Sequence, residues 1–181
     1  MTDNNGSLAS PVKNRESVGQ PLPISPAFNH VGITVPDLDY AISWYQQVLG
    51  MSVLAGPMDI SLNDEPFGEV LSDIFGSSWA GLRVAFLTTA DGIGLELFEF
   101  TTPATSPAGD VEYWRTGPFH ICLTWPDVAW LADHITANGG RQRSKVWTLF
   151  PGRSVVYCED PFRNIIEISS ATFERTWANR D

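Results

Sequence analysis

His30-Val31-Gly32-Ile33-Thr34-Val35-Pro36-Asp37 returns later in the chain as His120-Ile121-Cys122-Leu123-Thr124-Trp125-Pro126-Asp127. His, Thr, Pro and Asp stand at matching positions, and the sites between them stay mostly apolar. Alternation in each copy suits a strand. The proline stops that strand, and the aspartate can cap a following helix. Leu38, Ala41, Ile42, Tyr45 and Leu49 follow the first copy at helical spacing, up to Gly50. Val128, Leu131, Ala132 and Ile135 do the same after the second, up to Gly139-Gly140.

The order of elements repeats as well. After the first helix, strands are expected at 51–55, 83–88 and 94–100, the last two joined at Asp91-Gly92, a hairpin-turn signal. After the second they are expected near 145–148, 154–158 and 164–169. The unit is strand, helix, three strands, twice. A repeat in so short a chain points to two modules closing one core, and to an α+β protein. The boundaries expected are a polar N-terminal arm over 1–25, a first module over 26–103, a second over 104–170 and a tail over 171–181. The first module carries a lid-like insertion over 57–81, with helical spacing at Phe67, Val70, Leu71, Ile74 and Phe75.

Composition bounds the function. The 181 residues are 43% hydrophobic and 18% charged, a globular mixture. The net charge of −10 repels phosphate backbones, and the densest basic stretch is only Arg141, Arg143 and Lys145, so no nucleic-acid partner is expected. Two cysteines are too few for a disulfide framework. No apolar run reaches the roughly 20 residues of a membrane span. No secretory signal is legible, so the cytoplasm is the expected location, with no membrane partner.

The chemistry lies in a second repeat. Each module opens with a histidine and carries a glutamate in its last strand: His30 with Glu96, and His120 with Glu167. Alternation sends Leu95, Leu97, Ile166 and Ile168 to one face and both glutamates to the other. A carboxylate on the concave side of a small sheet is costly unless it is paired or metal-bound. Two of them close together would repel, and a divalent cation would relieve both costs. Imidazole and carboxylate suit nickel, zinc, cobalt, manganese or iron. One such ion per chain is expected, held by His30, Glu96, His120 and Glu167. Glu99 points to the opposite face and ranks below Glu96. His134, in mid-helix beside Asp133, reads as a solvated residue. Strand parity puts Thr34 on the face of His30, Phe98 on that of Glu96, and Cys122 and Thr124 on that of His120. With Trp147, these are the expected substrate pocket. The seven tryptophans and ten phenylalanines favour an aromatic or apolar substrate.

These residues resemble the vicinal oxygen chelate superfamily, which includes glyoxalase I, methylmalonyl-CoA epimerase, extradiol dioxygenases, fosfomycin-resistance enzymes and bleomycin-binding proteins. The run Asp160-Pro161-Phe162-Arg163-Asn164-Ile165-Ile166-Glu167 is similar to the family's Asp-Pro-Phe-Gly-Asn-x-x-Glu signature, with Arg163 where glycine is usual. That departure implies a turn that is either not left-handed or strained. The resemblance spans about 28–170. It implies paired βαβββ modules in an open cup-shaped mixed sheet around the metal, and a homodimer. Four intact ligands imply an isomerase or lyase acting on an oxygenated small molecule through a metal-stabilised enolate. Glu167 is then the first candidate for general base and Glu96 the second. An iron(II) extradiol-type dioxygenase and a metal-free binding or resistance protein are the alternatives.

Overall fold

In the computed structural model, residues 22–107 and 109–178 are described. Helix α1 (Leu38–Leu49) starts where Asp37 accepts a hydrogen bond from the Tyr40 amide, and it ends at Gly50 with φ of 68°. Only glycine adopts that left-handed geometry without strain. Helix α3 (Val128–Ala137) repeats the start, with Asp127 accepting from Trp130. Strand β1 (His30–Thr34) precedes α1, and between the two helices come β2 (Ser52–Ser61), α2 (Phe67–Phe75), β3 (Gly81–Thr88), β4 (Gly94–Thr102) and β5 (Ile121–Thr124). After α3 come β6 (Arg141–Gln142), β7 (Trp147–Phe150), β8 (Arg153–Glu159), β9 (Ile165–Ser169) and α4 (Phe173–Trp177).

The strands make two sheets. One has the order β1-β4-β3-β2, and the other β5-β9-β8-β6 with β7 also paired to β8. In each, the first strand of the repeat runs parallel to the last, and the remaining ladders are antiparallel. This is the expected α+β duplication, with local corrections. Strand β2 runs on to Ser61, so the start of the expected insertion is sheet. Its pairing with β3 tolerates this through register shifts between Val53 and Met58. The expected C-terminal tail contains α4, which Thr172 caps by accepting from Arg175. No described helix is long and apolar enough to cross a membrane.

One core joins the modules. Leu38, Ala41, Tyr45 and Val48 of α1 pack with Leu131, Ala132 and Ile135 of α3 and with Leu95, Leu97, Ile166 and Ile168 from both sheets. Burying each such aliphatic contributes about 1.5–3 kcal/mol, whereas burying an unpaired carboxylate costs several. Alternation therefore turns these faces inward and the Glu96 and Glu167 faces away from the shared core. Polar contacts cross the same boundary: Trp44 Nε1 donates to the Asn138 carbonyl at 2.8 Å, and the Tyr45 hydroxyl donates to Asp160 at 2.8 Å.

Candidate metal and substrate site

The register of β1 on β4 sets Gly32 opposite Glu96, and that of β5 on β9 sets Cys122 opposite Glu167. Each histidine lies two residues before those positions, on the same face, and meets its glutamate. His30 Nε2 lies 3.5 Å from Glu96 Oε2, and His120 Nε2 lies 3.0 Å from Glu167 Oε2. Two ligand atoms each about 2.1 Å from one cation stand about 3.0 Å apart at a right angle and about 3.4 Å apart at a tetrahedral angle. Both pairs therefore have the chemistry and the separation of two ligands on one ion.

Within one chain the four residues stand as two pairs. Among the described residues no group of three or more His, Cys, Asp or Glu side chains could hold a metal ion. The reason is the shared core: the modules pack through their helix-covered faces, which leaves the His/Glu faces pointing outward. The described side chains thus fit a divalent cation by halves.

Beside the first pair lies a cavity of about 620 Å³, lined by His30, Gly32, Thr34, Glu96 and a wall of apolar side chains from β2, β3, β4 and α2. Phe75 of α2 meets Phe98 and Phe100 edge to face, with centroids 5.9 and 5.6 Å away. Its volume suits a small molecule. Gly32 keeps it open, because a Cβ there would stand 3.3 Å from the Phe98 ring and 3.7 Å from Glu96 Oε2. Of the expected pocket residues, Thr34 and Phe98 line this cavity. Cys122 and Thr124 lie on the His120 face of the second sheet. Trp147 does not join them: it lies on β7, paired with Val155 of β8 and separated from β5 by two strands, and its ring takes the Lys145 ammonium at 3.8 Å. The Cys122 thiol is pushed up to about 12 by desolvation and then by the Glu167 charge, although part of its surface is open. Such a thiol is not a ready nucleophile. A smaller hollow of about 270 Å³ near Gly139 and Arg163 contains neither pair, and its Glu159 is engaged by Arg141 and Arg143.

The remaining expectations resolve by partner. Glu99 accepts from the Leu38 amide and pairs with Arg83, so it caps α1. His134 stacks on Trp130 with centroids 5.0 Å apart. Arg163 has φ of 76°, so the signature turn is left-handed and its non-glycine residue is strained. Its guanidinium bonds Asp110 at 2.6 Å.

Tyr157 is the residue the sequence reading missed. Its hydroxyl donates to Glu167 Oε2 at 2.8 Å, and its ring lies edge to face with His120. Desolvation, then the hydrogen bond to Glu167, pushes the phenol well above its ordinary value, so it stays a donor. A signal existed: folding the β8–β9 hairpin about Phe162 sets Tyr157 opposite Glu167. Folding β3–β4 about Asp91 likewise sets Phe86 opposite Glu96.

The comparisons agree with this architecture. A curated 2-epi-5-epi-valiolone epimerase from an Actinomyces species is 28% identical over 126 residues, which span 67% of this chain and 64% of that protein. A glyoxalase family protein from Bacillus cereus superposes with a TM-score of 0.66 at 22% identity, over 84% of this chain and 97% of the other. A mutant of the genomically encoded fosfomycin resistance protein of Listeria monocytogenes, complexed with manganese(II) and 1S,2S-dihydroxypropylphosphonic acid, superposes at 0.53 and 17% identity, over 84% and 98%. The family model for the glyoxalase/bleomycin resistance protein/dioxygenase superfamily matches residues 27–168, and the chain belongs to that superfamily.

Proposed function

We propose that this protein is a divalent-metal-dependent isomerase of the epimerase type, whose complete site joins the His30–Glu96 face of one copy to the His120–Glu167 face of a second. The observation that carries this reading is the pair of matched His/Glu contacts on sheet faces turned away from a common core. Neither pair alone supplies the three or more ligands of an enzymatic metal site. A two-fold dimer that opposes unlike faces supplies four, twice over.

The cation would act as a Lewis acid that acidifies the C–H beside a substrate carbonyl. The chain's own residues do the rest. His30 and His120 present their imidazoles at the edge of the site, each beside its glutamate. One glutamate takes the proton from one face of the carbon, water on the second module's side delivers a proton to the opposite face, which inverts the centre, and the glutamate then releases its proton to solvent. The first module's cavity excludes water with Phe86, Phe98 and Phe100. The second module presents hydroxyl and thiol groups from Thr124, Ser169, Tyr157 and Cys122. A substrate with two neighbouring oxygens, an apolar side and a hydroxylated side suits both. The related epimerase makes 2-epi-5-epi-valiolone the first compound to try.

The test is elemental analysis of the purified chain by inductively coupled plasma mass spectrometry, followed by proton exchange in deuterium oxide with that compound and a panel of hydroxyketones. Expected are about one divalent ion per chain and exchange at the carbon next to the carbonyl. Absence of metal after reconstitution would overturn the reading and favour a binding protein. Oxygen uptake by the iron-loaded protein would overturn it in favour of a dioxygenase.

A further inference from the structure

The two half-sites are copies in sequence and unlike in chemistry. By strand register Gly32 and Phe86 flank Glu96, with Phe98 one step along the same face. At the matching positions Cys122 and Tyr157 flank Glu167, with Ser169 one step along. The phenylalanine that faces the first glutamate offers no hydrogen bond, and the tyrosine that faces the second donates one at 2.8 Å. Oε2 of Glu167 therefore has both Tyr157 and His120 within 3.0 Å. Glu96 has His30 at 3.5 Å and an aromatic wall.

We infer that Tyr157 is a positioning residue that anchors Glu167 as a fixed metal ligand, and that Glu96, which has no such anchor, is the more mobile of the two carboxylates. This rests on the metal reading proposed above. Two donors on one carboxylate oxygen hold its rotamer, which makes it the better-placed ligand. A glutamate with one long contact, at the rim of an open cavity, keeps its mobility. The duplication thus gives two identical residue types unequal anchoring.

The test is cobalt(II) titration of the metal-stripped full chain, read by visible absorbance, and it needs no substrate. The proteins are wild type, Tyr157→Phe, Glu167→Gln, Glu96→Gln, and Tyr157→Phe combined with each glutamine. Tyr157→Phe is expected to weaken cobalt binding about tenfold at unchanged stoichiometry, the effect typical of a lost partner behind a metal ligand. In the Glu167→Gln background the same change should cost little more, and in the Glu96→Gln background it should cost the full tenfold. Glu167→Gln should weaken binding more than Glu96→Gln. A Tyr157→Phe protein that binds cobalt as tightly as wild type overturns the inference. So does an equal loss in both backgrounds, which is the mark of a merely structural role. Failure of the wild type itself to bind cobalt would instead remove the metal reading, and this inference with it.

Discussion

The Tyr45 hydroxyl and Oδ2 of Asp160 stand 2.8 Å apart, and this bond ties helix α1 of the first repeat to the signature turn of the second. Asp160 is 2% exposed and also accepts from the Phe162 and Asn164 amides and the Asn164 side chain. Desolvation still prevails over these bonds and holds the carboxyl above its ordinary 3.8. The Tyr45 hydroxyl is itself held high, by burial first and the Asp160 charge second.

Tyr45→Phe should therefore lower stability by about 1.5–3 kcal/mol at pH 7, the usual worth of a hydrogen bond to a charged group. The sign with pH follows from proton binding. The folded Asp160 holds its proton more tightly than the unfolded one, so its contribution to stability rises on acidification towards 3.8. Removing the donor to the ionised form raises the carboxyl further, so the loss in Tyr45→Phe should shrink as pH falls. Urea unfolding of both proteins at pH 7 and near pH 5 checks this. A deficit that grows on acidification would contradict it.

If two copies share each site, His30→Ala and His120→Ala should each lose bound metal. Mixed and refolded together, they should regain about a quarter of the wild-type ion, because half the dimers are mixed and each mixed dimer has one intact site. A site closed within one chain regains none. Metal content after mixing, set against the two separate variants, distinguishes the cases.

Phe75→Ala should enlarge the cavity beside Glu96 at modest cost. Phe75 is 37% exposed and meets Phe98 and Phe100 by its edge, so its truncation should cost about 1–2 kcal/mol, less than the 3–5 of a fully buried phenylalanine. Nile red fluorescence should report an altered pocket while far-ultraviolet circular dichroism stays unchanged. A loss of 4 kcal/mol or more, read by urea unfolding, would mean that α2 is part of the core.

At Arg163, whose φ is 76°, glycine should be more stable than alanine by about 1 kcal/mol. The ion pair to the exposed Asp110 adds little in either comparison. Thermal unfolding of Arg163→Gly and Arg163→Ala decides it, and an alanine variant of equal or higher midpoint would contradict the strain.

Much of this protein follows from the sequence by local rules. The repeat, the aspartate caps of α1 and α3, and the placing of Glu96 and Glu167 opposite their core neighbours depend on residues within one element, where strand parity and helix periodicity act directly. What the tertiary structure decided is which faces meet. Summed burial of α1, α3 and the inner sheet faces sets the modules back to back, and no local pattern encodes that choice between packings. It leaves four residues of one sequence pattern as two separate pairs. It also brings Tyr157 to Glu167 and leaves Glu96 beside Phe86, a difference that arises only when the hairpin registers close.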